Sequence, residues 1–111
     1  MLKMIVEGRM TEPKEETTTG GTKLLKFSVA HEYAVKRGDD RILQTEFVEC
    51  SLWNLNNAVT MDGKMTSAEM LEKGKMIKVT GFPKVDAWID KTNGEIRTKL
   101  QCNAEAVQIV I

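Results

Sequence analysis

Alternation of apolar and polar side chains predicts strands along most of the chain. Residues 2–6 follow the period-two pattern of a half-buried strand, and Gly8 just behind them predicts a bulge or a bend. The same alternation returns over 25–33 and 42–53, on either side of a charged turn segment. These two runs predict a long hairpin, which a polar connection over 11–22 separates from the first strand.

The segment after this hairpin loses the alternation. Thr66 and Glu69 have the spacing of a capping box, and Gly74 stands where a helix C-terminal glycine is expected. This pattern predicts one short helix, preceded by an irregular connection over 56–65. A helix that begins at Asn54 is the alternative.

Another strand and a second hairpin are predicted in the last third of the chain. The strand covers 75–82, and Pro83 predicts either a break or a sheet edge behind it. An Asn-Gly pair at 93–94, a strong hairpin signal, lies between the runs 85–89 and 95–102. We therefore expect the chain to reverse at this pair.

The order of these elements predicts an all-β OB-fold. Three strands, one short helix and two more strands is the order of this five-stranded, partly open Greek-key barrel, whose open face binds nucleic acids or saccharides. A chain of 111 residues is large enough for one core and too small for two, so we expect a single domain over 1–111. The apolar segment 104–111 is expected to pack against the barrel.

Residue types that enzymes and metal sites need are sparse. His31 is the only histidine, and the sequence holds no Walker loop, no dinucleotide-binding glycine motif and no CxxC pair. We therefore expect no catalysis, no cofactor and no metal. Cys50 and Cys102 each lie within a predicted strand, which favours reduced, partly buried thiols over redox chemistry. Because no apolar run approaches the ~20 residues that cross a bilayer, a cytoplasmic protein is expected.

Charges balance over the whole chain, with 16 basic and 16 acidic residues. Phosphate neutralisation supplies most of the non-specific affinity of nucleic-acid-binding proteins, so such a function requires a locally basic face. Basic residues recur over 84–99, whereas acidic residues gather over 12–16 and 62–72. The distribution is therefore compatible with a locally basic face despite the neutral total.

Large aromatic residues share one strand face. Phe47 and Trp53 are six residues apart, so they point the same way and lie about 20 Å from each other at ~3.3 Å per residue. Trp88 lies close to the tip of the second hairpin. This spacing suits contacts to different bases of a nucleic acid, and packing against a second sheet or a partner subunit is the alternative.

Several segments together resemble bacterial single-stranded DNA-binding proteins of the replication type, a family of OB-fold barrels. The segments are, in chain order, KMIVEGRMT at 3–11 with Pro13, Gly20-Gly21 before FSVA at 27–30, TEFVECSLW at 45–53, LEKG at 71–74, VTG at 79–81, and WID at 88–90 before Gly94 and Arg97. No single piece is specific, but the ordered set covers nearly the whole chain.

The resemblance implies a non-catalytic protein that binds and protects single-stranded DNA without sequence preference in replication, recombination or repair. Family members stack bases on aromatic residues at the positions of Phe47, Trp53 and Trp88, and Tyr33 is the candidate for a fourth, with Val35 as the alternative match. Lysines and arginines follow the phosphates in the family. The candidates here are Arg97, Lys99, Lys84, Lys36, Arg37 and Arg9.

Departures from the family's pattern accompany these matches. Glu49 lies between Phe47 and Trp53, where the family often has a basic residue, and a carboxylate there opposes phosphate. The connection 56–65 is longer than the family's equivalent. The chain stops at Ile111 without the family's disordered tail and its acidic tip, so tail-mediated recruitment of replication proteins is doubtful, and a phage or plasmid origin is compatible with this shorter form.

Two functions therefore follow from the sequence. The leading one is single-stranded DNA binding by a homo-oligomer, for which the resemblance favours a homotetramer over a dimer. The alternative is an OB-fold protein-interaction module of a replication or primosome assembly with weak DNA binding, which the neutral charge and Glu49 favour.

Overall fold

Strands occupy most of the chain, as the alternation predicts. The computed structural model describes residues 1–55 and 58–110. Within these residues the elements are, in chain order, β1 (Met4–Met10), β2 (Lys14–Thr17), β3 (Lys23–Arg37), β4 (Asp40–Leu52), β5 (Val59–Met61), β6 (Lys64–Thr66), a 3₁₀ turn (Ala68–Met70), β7 (Met76–Ile89) and β8 (Ile96–Ile109).

Five of these strands close into a barrel. β1 pairs with β7 and, at its end, with β3, while β3 pairs with β4 and β7 pairs with β8, all of them antiparallel. The circle closes where β4 runs parallel to β8, from Glu49 beside Gln101 to Leu52 beside Ala104. This connectivity is that of the OB-fold, so the predicted all-β Greek-key barrel is confirmed.

The inside of the barrel is filled by the apolar half of each alternating strand. Val48, Cys50 and Leu52 of β4 are buried, and they belong to one core cluster with Ile77 of β7 and Val107 of β8. Burial of a large aliphatic side chain contributes about 1.5–3 kcal/mol. Because side chains alternate along a strand, the intervening Phe47, Glu49 and Ser51 face outward.

β7 and β8 are longer than the sequence predicts. The predicted break at Pro83 is wrong and the predicted edge is right, because β7 runs unbroken over Met76–Ile89. β1 pairs with β7 as far as Gly81, and among the described residues no strand continues that side of β7 beyond it. A proline fits such an edge because it has no N–H to donate to a second ladder. β8 likewise includes most of the predicted packed end of the chain, where Ile109 is buried.

The predicted short helix is reduced to a single 3₁₀ turn. Its N-cap is Ser67 instead of Thr66: the Ser67 hydroxyl accepts a hydrogen bond from the Glu69 N–H at 3.2 Å. Thr66 is unavailable as a cap because it is the last residue of β6 and pairs with Val59. The alternative start at Asn54 is also wrong, since residues 53–55 are not helical.

A small hairpin of two short strands takes the place of the irregular connection predicted over 56–65. β5 and β6 pair there, so that prediction is wrong for residues 59–65, while residues 56–57 lie outside the described residues. Asp62 and Gly63 both have positive φ between the two strands. An Asp-Gly pair suits a two-residue hairpin turn because such a turn requires positive φ at both positions.

Gly8 allows β1 to approach β3 closely. A Cβ atom at Gly8 would lie 2.1 Å from the carbonyl oxygen of Ala30, well inside van der Waals contact. β1 pairs with β3 at Arg9 and Met10, directly behind this close approach. The glycine therefore permits the seam at which the barrel closes between β1 and β3.

Candidate nucleic-acid interface

One continuous outer face extends over β3, β4, β8 and β7. Residues paired in register share a side of the sheet, so Phe47 and Glu49 of β4 share a side with Ala30 and Ser28 of β3. Glu49 is also paired with Gln101 of β8. Pairing then continues into β7 through Gln101 beside Lys84, Lys99 beside Asp86, and Arg97 beside Trp88.

We call this surface the aromatic face. Its residues are Lys26, Ser28, Ala30, Phe47, Glu49, Ser51, Trp53, Phe82, Lys84, Asp86, Trp88, Arg97, Lys99, Gln101 and Asn103. The predicted partners Phe47, Trp53 and Trp88 thus lie on one side of the barrel.

The three aromatic side chains of this face that the sequence predicts to stack on bases are exposed to solvent. Phe47 is 62% exposed, Trp53 47% and Trp88 48%. The alternative that they pack against a second sheet of the same chain is therefore wrong, whereas packing against a partner subunit stays open. Half-exposed rings on a sheet surface leave a π-face free for a ligand.

Trp53 lies directly behind β4 and is held by a side chain of β8. Its indole Nε1–H donates a hydrogen bond to Oδ1 of Asn103 at 3.4 Å. Trp53 also lines a shallow groove together with Leu24, Lys26 and Lys84. The hydrogen bond orients the ring at the edge of this groove, and sequence patterns miss Asn103 because its contact depends on the pairing of β4 with β8.

Trp88 lies one residue before the end of β7, beside a hairpin turn that Asp90 organises. The backbone carbonyl of Asp90 accepts a hydrogen bond from the Gly94 N–H, and the Asp90 N–H donates one to the carbonyl of Glu95. The carboxylate of Asp90 accepts a hydrogen bond from the Thr92 N–H at 2.9 Å. The other carboxylate oxygen lies 3.4 Å from Nε of Arg97. The Trp-x-Asp spacing therefore places the ring of Trp88 beside the turn that Asp90 stabilises.

Tyr33 is not part of the aromatic face. Its register partner is Gln44, whereas Phe47 pairs with Ala30, so Tyr33 points to the opposite side of the β3–β4 hairpin. Its ring stacks on His31 with centroids 5.8 Å apart. The tyrosine hydroxyl lies within hydrogen-bond distance of Gln44 Oε1 and Glu46 Oε1, at 3.0 and 3.1 Å. The hydrogen bond to Glu46 raises the pKa of this hydroxyl.

Val35, the alternative match to the fourth stacking position, lies on the same side of the hairpin as Tyr33. It pairs with Ile42, and it is an odd-numbered residue of the same unbroken strand. Neither candidate joins Phe47, Trp53 and Trp88 on their face.

Cations on the aromatic face are paired with carboxylates. Lys99 donates to Glu49, whose other carboxylate oxygen lies 3.4 Å from Nε2 of Gln101. Lys26, which the sequence analysis does not single out, lies 3.4 Å from a carboxylate oxygen of Glu16. The remaining pairs are Lys84 with Asp86 at 4.0 Å, and Arg97 with Asp90 at 3.4 Å and Glu95 at 3.7 Å.

Glu49 is an ionised carboxylate at the centre of this network. Its hydrogen bond from Lys99 lowers its pKa, against a smaller opposing effect of burial, and the charges of Lys99 and Lys26 add to the lowering. The aromatic face therefore carries fixed negative charge beside its lysines at neutral pH.

The other predicted phosphate contacts lie away from this cluster. Arg9 shares a side of the barrel with Ala30, two strands from Phe47, and its Nη1 donates to the carbonyl of Gly74 at 2.9 Å. Lys36 and Arg37 stand at the far end of the β3–β4 hairpin and form no ion pair within the described part of the chain. The structure thus separates the six candidates into three groups.

The described residues offer few groups for chemistry other than stacking and ion pairing. No three histidine, cysteine, aspartate or glutamate side chains converge as a metal site in that part of the chain. Cys50 and Cys102 are free, buried and side by side across β4 and β8. In residues 1–55 and 58–110 no helix has the length and apolar character to span a membrane.

The fold and the face together define a class of protein: a closed five-stranded OB-fold barrel that presents exposed aromatic rings among paired charges. Solved structures share this architecture. The chain superposes with a TM-score of 0.69 and 17% identity on a small single-stranded DNA-binding protein from Streptomyces coelicolor, over 99% of this chain and 94% of that one. It superposes with a TM-score of 0.70 and 15% identity on a Plasmodium falciparum SSB in complex with ssDNA, over 100% and 96% of the two chains.

The chain belongs to the single-strand binding protein family, whose family model matches residues 1–110. Two curated relatives are named single-stranded DNA-binding protein. The one from Borreliella burgdorferi is 26% identical over 107 residues, which is 96% of this chain and 67% of that protein. The one from Treponema pallidum is 30% identical over 108 residues, 96% of this chain and 56% of that protein. The chain thus spans between half and about two thirds of the length of these relatives.

Proposed function

We propose that this protein binds and protects single-stranded DNA without sequence preference, in DNA replication, recombination or repair. The observation that carries the proposal is the position of Phe47, Trp53 and Trp88, three half-exposed rings on one side of an OB-fold barrel. Family membership supports it independently. Stacking suits binding without sequence preference because every base offers a π-face.

The path of the strand follows the aromatic face. Phe47 and Trp53 are about 20 Å apart along β4, so they contact different bases. Each stacked base contributes about 1–3 kcal/mol. Lys84, Lys99 and Arg97 lie on the same face and contact phosphates in this proposal, whereas Lys36 and Arg37 reach DNA that continues along the β3–β4 hairpin.

Tyr33 and Arg9 have secondary roles in this proposal. Tyr33 stacks on a base only where the strand crosses to the other side of the β3–β4 hairpin, where its ring already lies against His31. Arg9 contacts a phosphate on the same side of the barrel, two strands from Phe47, after its bond to the carbonyl of Gly74 is broken. The position of both residues makes them less important than Phe47, Trp53 and Trp88.

We further propose a homotetramer as the working form. Within the described strands, β1 pairs with β3 only at Arg9 and Met10, so the edge of its first half is open to a second copy. Exposed apolar side chains accompany that edge, with Leu2 73% and Ile5 61% exposed. Light scattering coupled to size exclusion should give a mass of four chains; a monomer mass at micromolar concentration would refute the proposal.

Titration with oligo-dT tests DNA binding directly. The chain has two tryptophans, Trp53 and Trp88, and both belong to the proposed surface. Stacking on thymine should quench their emission, and affinity should fall as salt rises because phosphate contacts release counterions. Absence of quenching at low salt, or an affinity that salt does not change, would overturn the mechanism.

A second candidate function is an OB-fold module that acts mainly through protein contacts in a replication or primosome assembly. The pairing of the face's cations with carboxylates, Glu49 with Lys99 above all, favours it because such a face attracts phosphate weakly. Replacing Trp53 and Trp88 with alanine distinguishes the two functions. A protein-contact module would keep its role in bacterial cytoplasm after losing DNA binding, whereas a DNA-protecting protein would not.

A further inference from the structure

Glu49 differs from the other carboxylates that pair with cations of the aromatic face. It lies between Phe47 and Trp53 on the outward row of β4, where a bound strand must cross the barrel. Its side chain is 27% exposed, as is that of Asp90, the partner of Arg97, against 51% for Glu16, the partner of Lys26. It is therefore a built part of the face and not a loosely held surface charge.

Two side chains of β8 fix the position of Glu49. Lys99 donates to Oε2, and Gln101 Nε2 lies 3.4 Å from Oε1. The ammonium group of Lys99 is thus turned toward β4 and shared with a carboxylate before any DNA arrives. A phosphate that approaches Lys99 has to take the place of this carboxylate.

We propose that Glu49 is a tethered counterion that competes with DNA phosphate for Lys99 and so sets the affinity and salt dependence of binding. The inference rests on the proposed single-stranded DNA binding and names a residue that regulates it. When an ordinary lysine contacts a DNA phosphate, the cation bound at that phosphate is released, together with any mobile anion that the lysine held. This release gives a slope of log K against log salt of about −0.7 per phosphate contact on single strands.

At Lys99 this release is cancelled. The phosphate displaces a carboxylate that is covalently attached to the protein, and the freed Glu49 attracts a cation of its own beside the strand. Contact with Lys99 therefore adds little affinity and no salt dependence. The face binds DNA mainly through its rings, and DNA dissociates from it more easily than its number of cations suggests.

Glu49→Gln tests the inference, because glutamine keeps the shape of the side chain and removes its charge. Fluorescence anisotropy of labelled oligo-dT, measured from low to high salt, should show tighter binding at low salt. We expect an increase on the order of fivefold, the factor for one pair of unit charges about 4 Å apart in water. The slope of log K against log salt should become steeper by about 0.7.

Glu15→Gln is the matched control. Glu15 also forms an exposed ion pair, with Lys23 at 3.7 Å, and its replacement changes the net charge by the same amount. Alternation along β2 directs it away from the side of Glu16, whose carboxylate meets the aromatic face. We expect this variant to leave the slope unchanged and the affinity within about twofold, since distant exposed charges are screened.

A double-mutant cycle with Lys99→Met separates competition from a structural effect. Loss of Lys99 should weaken binding little in the wild type, where Glu49 already occupies it, and several-fold more in the Glu49→Gln background. Equal losses in both backgrounds would overturn the inference. So would a Glu49→Gln variant with wild-type affinity and slope.

These outcomes are distinct from failure of the proposed function. If neither the wild type nor Glu49→Gln binds oligo-dT at low salt, single-stranded DNA binding is wrong and the competition at Lys99 is wrong with it. If the wild type binds and quenches while Glu49→Gln is indistinguishable from it, DNA binding stands and the role of Glu49 alone is refuted. Circular dichroism melts of each variant establish that the barrel is folded in every measurement.

Discussion

Replacement of Trp88 by alanine should weaken DNA binding without unfolding the barrel. The ring is 48% exposed near the end of β7, and beyond the turn its hairpin partner is Arg97, so no core contact depends on it. Removal of one stacked base costs about 1–3 kcal/mol, which is roughly a 5- to 150-fold rise in Kd. The melting temperature should change little, because the side chain is outside the core cluster.

The assay uses the small number of tryptophans. Trp88→Ala leaves Trp53 as the single tryptophan, and Trp53→Ala leaves Trp88, so the tryptophan emission of each variant reports quenching at one position. If both rings stack on bases, oligo-dT should quench both variants at saturation, at a higher oligonucleotide concentration than the wild type requires. Trp88→Phe should recover most of the affinity because it restores a ring.

Ile89→Ala supplies the matched control for this prediction. Ile89 is the next residue of β7 and is 67% exposed, but alternation directs it to the side of the hairpin opposite Trp88. We expect its loss to leave Kd within about twofold, since it contacts no base in the proposed path. Should Ile89→Ala weaken binding as much as Trp88→Ala, or should Trp88→Ala bind normally, the assignment of the aromatic face would be wrong.

Stability and titration give further expected outcomes. Gly8→Ala should lower the melting temperature by several degrees, because the added Cβ would lie 2.1 Å from a backbone oxygen of β3. Overpacking of this kind costs about 1–3 kcal/mol, and a domain of this size loses about 4 °C in melting temperature per kcal/mol. The thiols of Cys50 and Cys102 should react with an aromatic disulfide reagent only after unfolding, because both are buried. The hydrogen bond between the two thiols, together with burial, raises the pKa of Cys50, whereas the same hydrogen bond lowers the pKa of Cys102, so the protection of Cys102 comes from burial alone. The carboxyl pKa of Glu49, followed by NMR, should rise in Lys99→Met, and the stabilisation from this pair should be present above the unfolded pKa and disappear as pH falls through the lowered folded pKa.

Separate results would contradict each of these expectations. Gly20→Ala is the control for Gly8, since an added Cβ there meets nothing closer than 4.0 Å, and an equal loss of stability in both variants would reject the close-approach argument. Rapid thiol reaction in the folded state would mean that β4 and β8 open readily. An unchanged pKa of Glu49 in Lys99→Met would mean that the ion pair does not hold its charge.

The barrel strands could be predicted because their evidence is local. Period-two alternation defines each long strand, and the Asn-Gly pair at 93–94 lies in the turn between β7 and β8. The 3₁₀ turn could not be predicted in the same way. Thr66 and Glu69 have the spacing of a capping box, but the hairpin of β5 and β6 takes Thr66 into a strand. The Asp-Gly pair at 62–63 forms the turn of this hairpin, and such a pair is equally compatible with an irregular connection.

The side of the sheet on which Tyr33 lies depends on register, which the sequence leaves open. Several residues of the charged tip can form the turn of the β3–β4 hairpin, and a shift by one residue would move every side chain of β3 to the other face. The turn at Gly38 and Asp39 sets Arg37 opposite Asp40 and thereby Ala30 opposite Phe47. Alternation alone relates Phe47 to Trp53 within one strand, but it does not relate either of them to Tyr33.

The charge pattern of the face is likewise a product of long-range pairing. Lys99 is 50 residues away from Glu49 in the chain, and the two meet because β4 runs parallel to β8 at the closure of the barrel. A neutral total of charges can therefore hide two different surfaces: separate basic and acidic patches, or cations each paired with a carboxylate. The aromatic face has the second arrangement, so the proposed DNA binding has to depend chiefly on the rings, and its salt dependence becomes the measurement that distinguishes stacking from phosphate neutralisation.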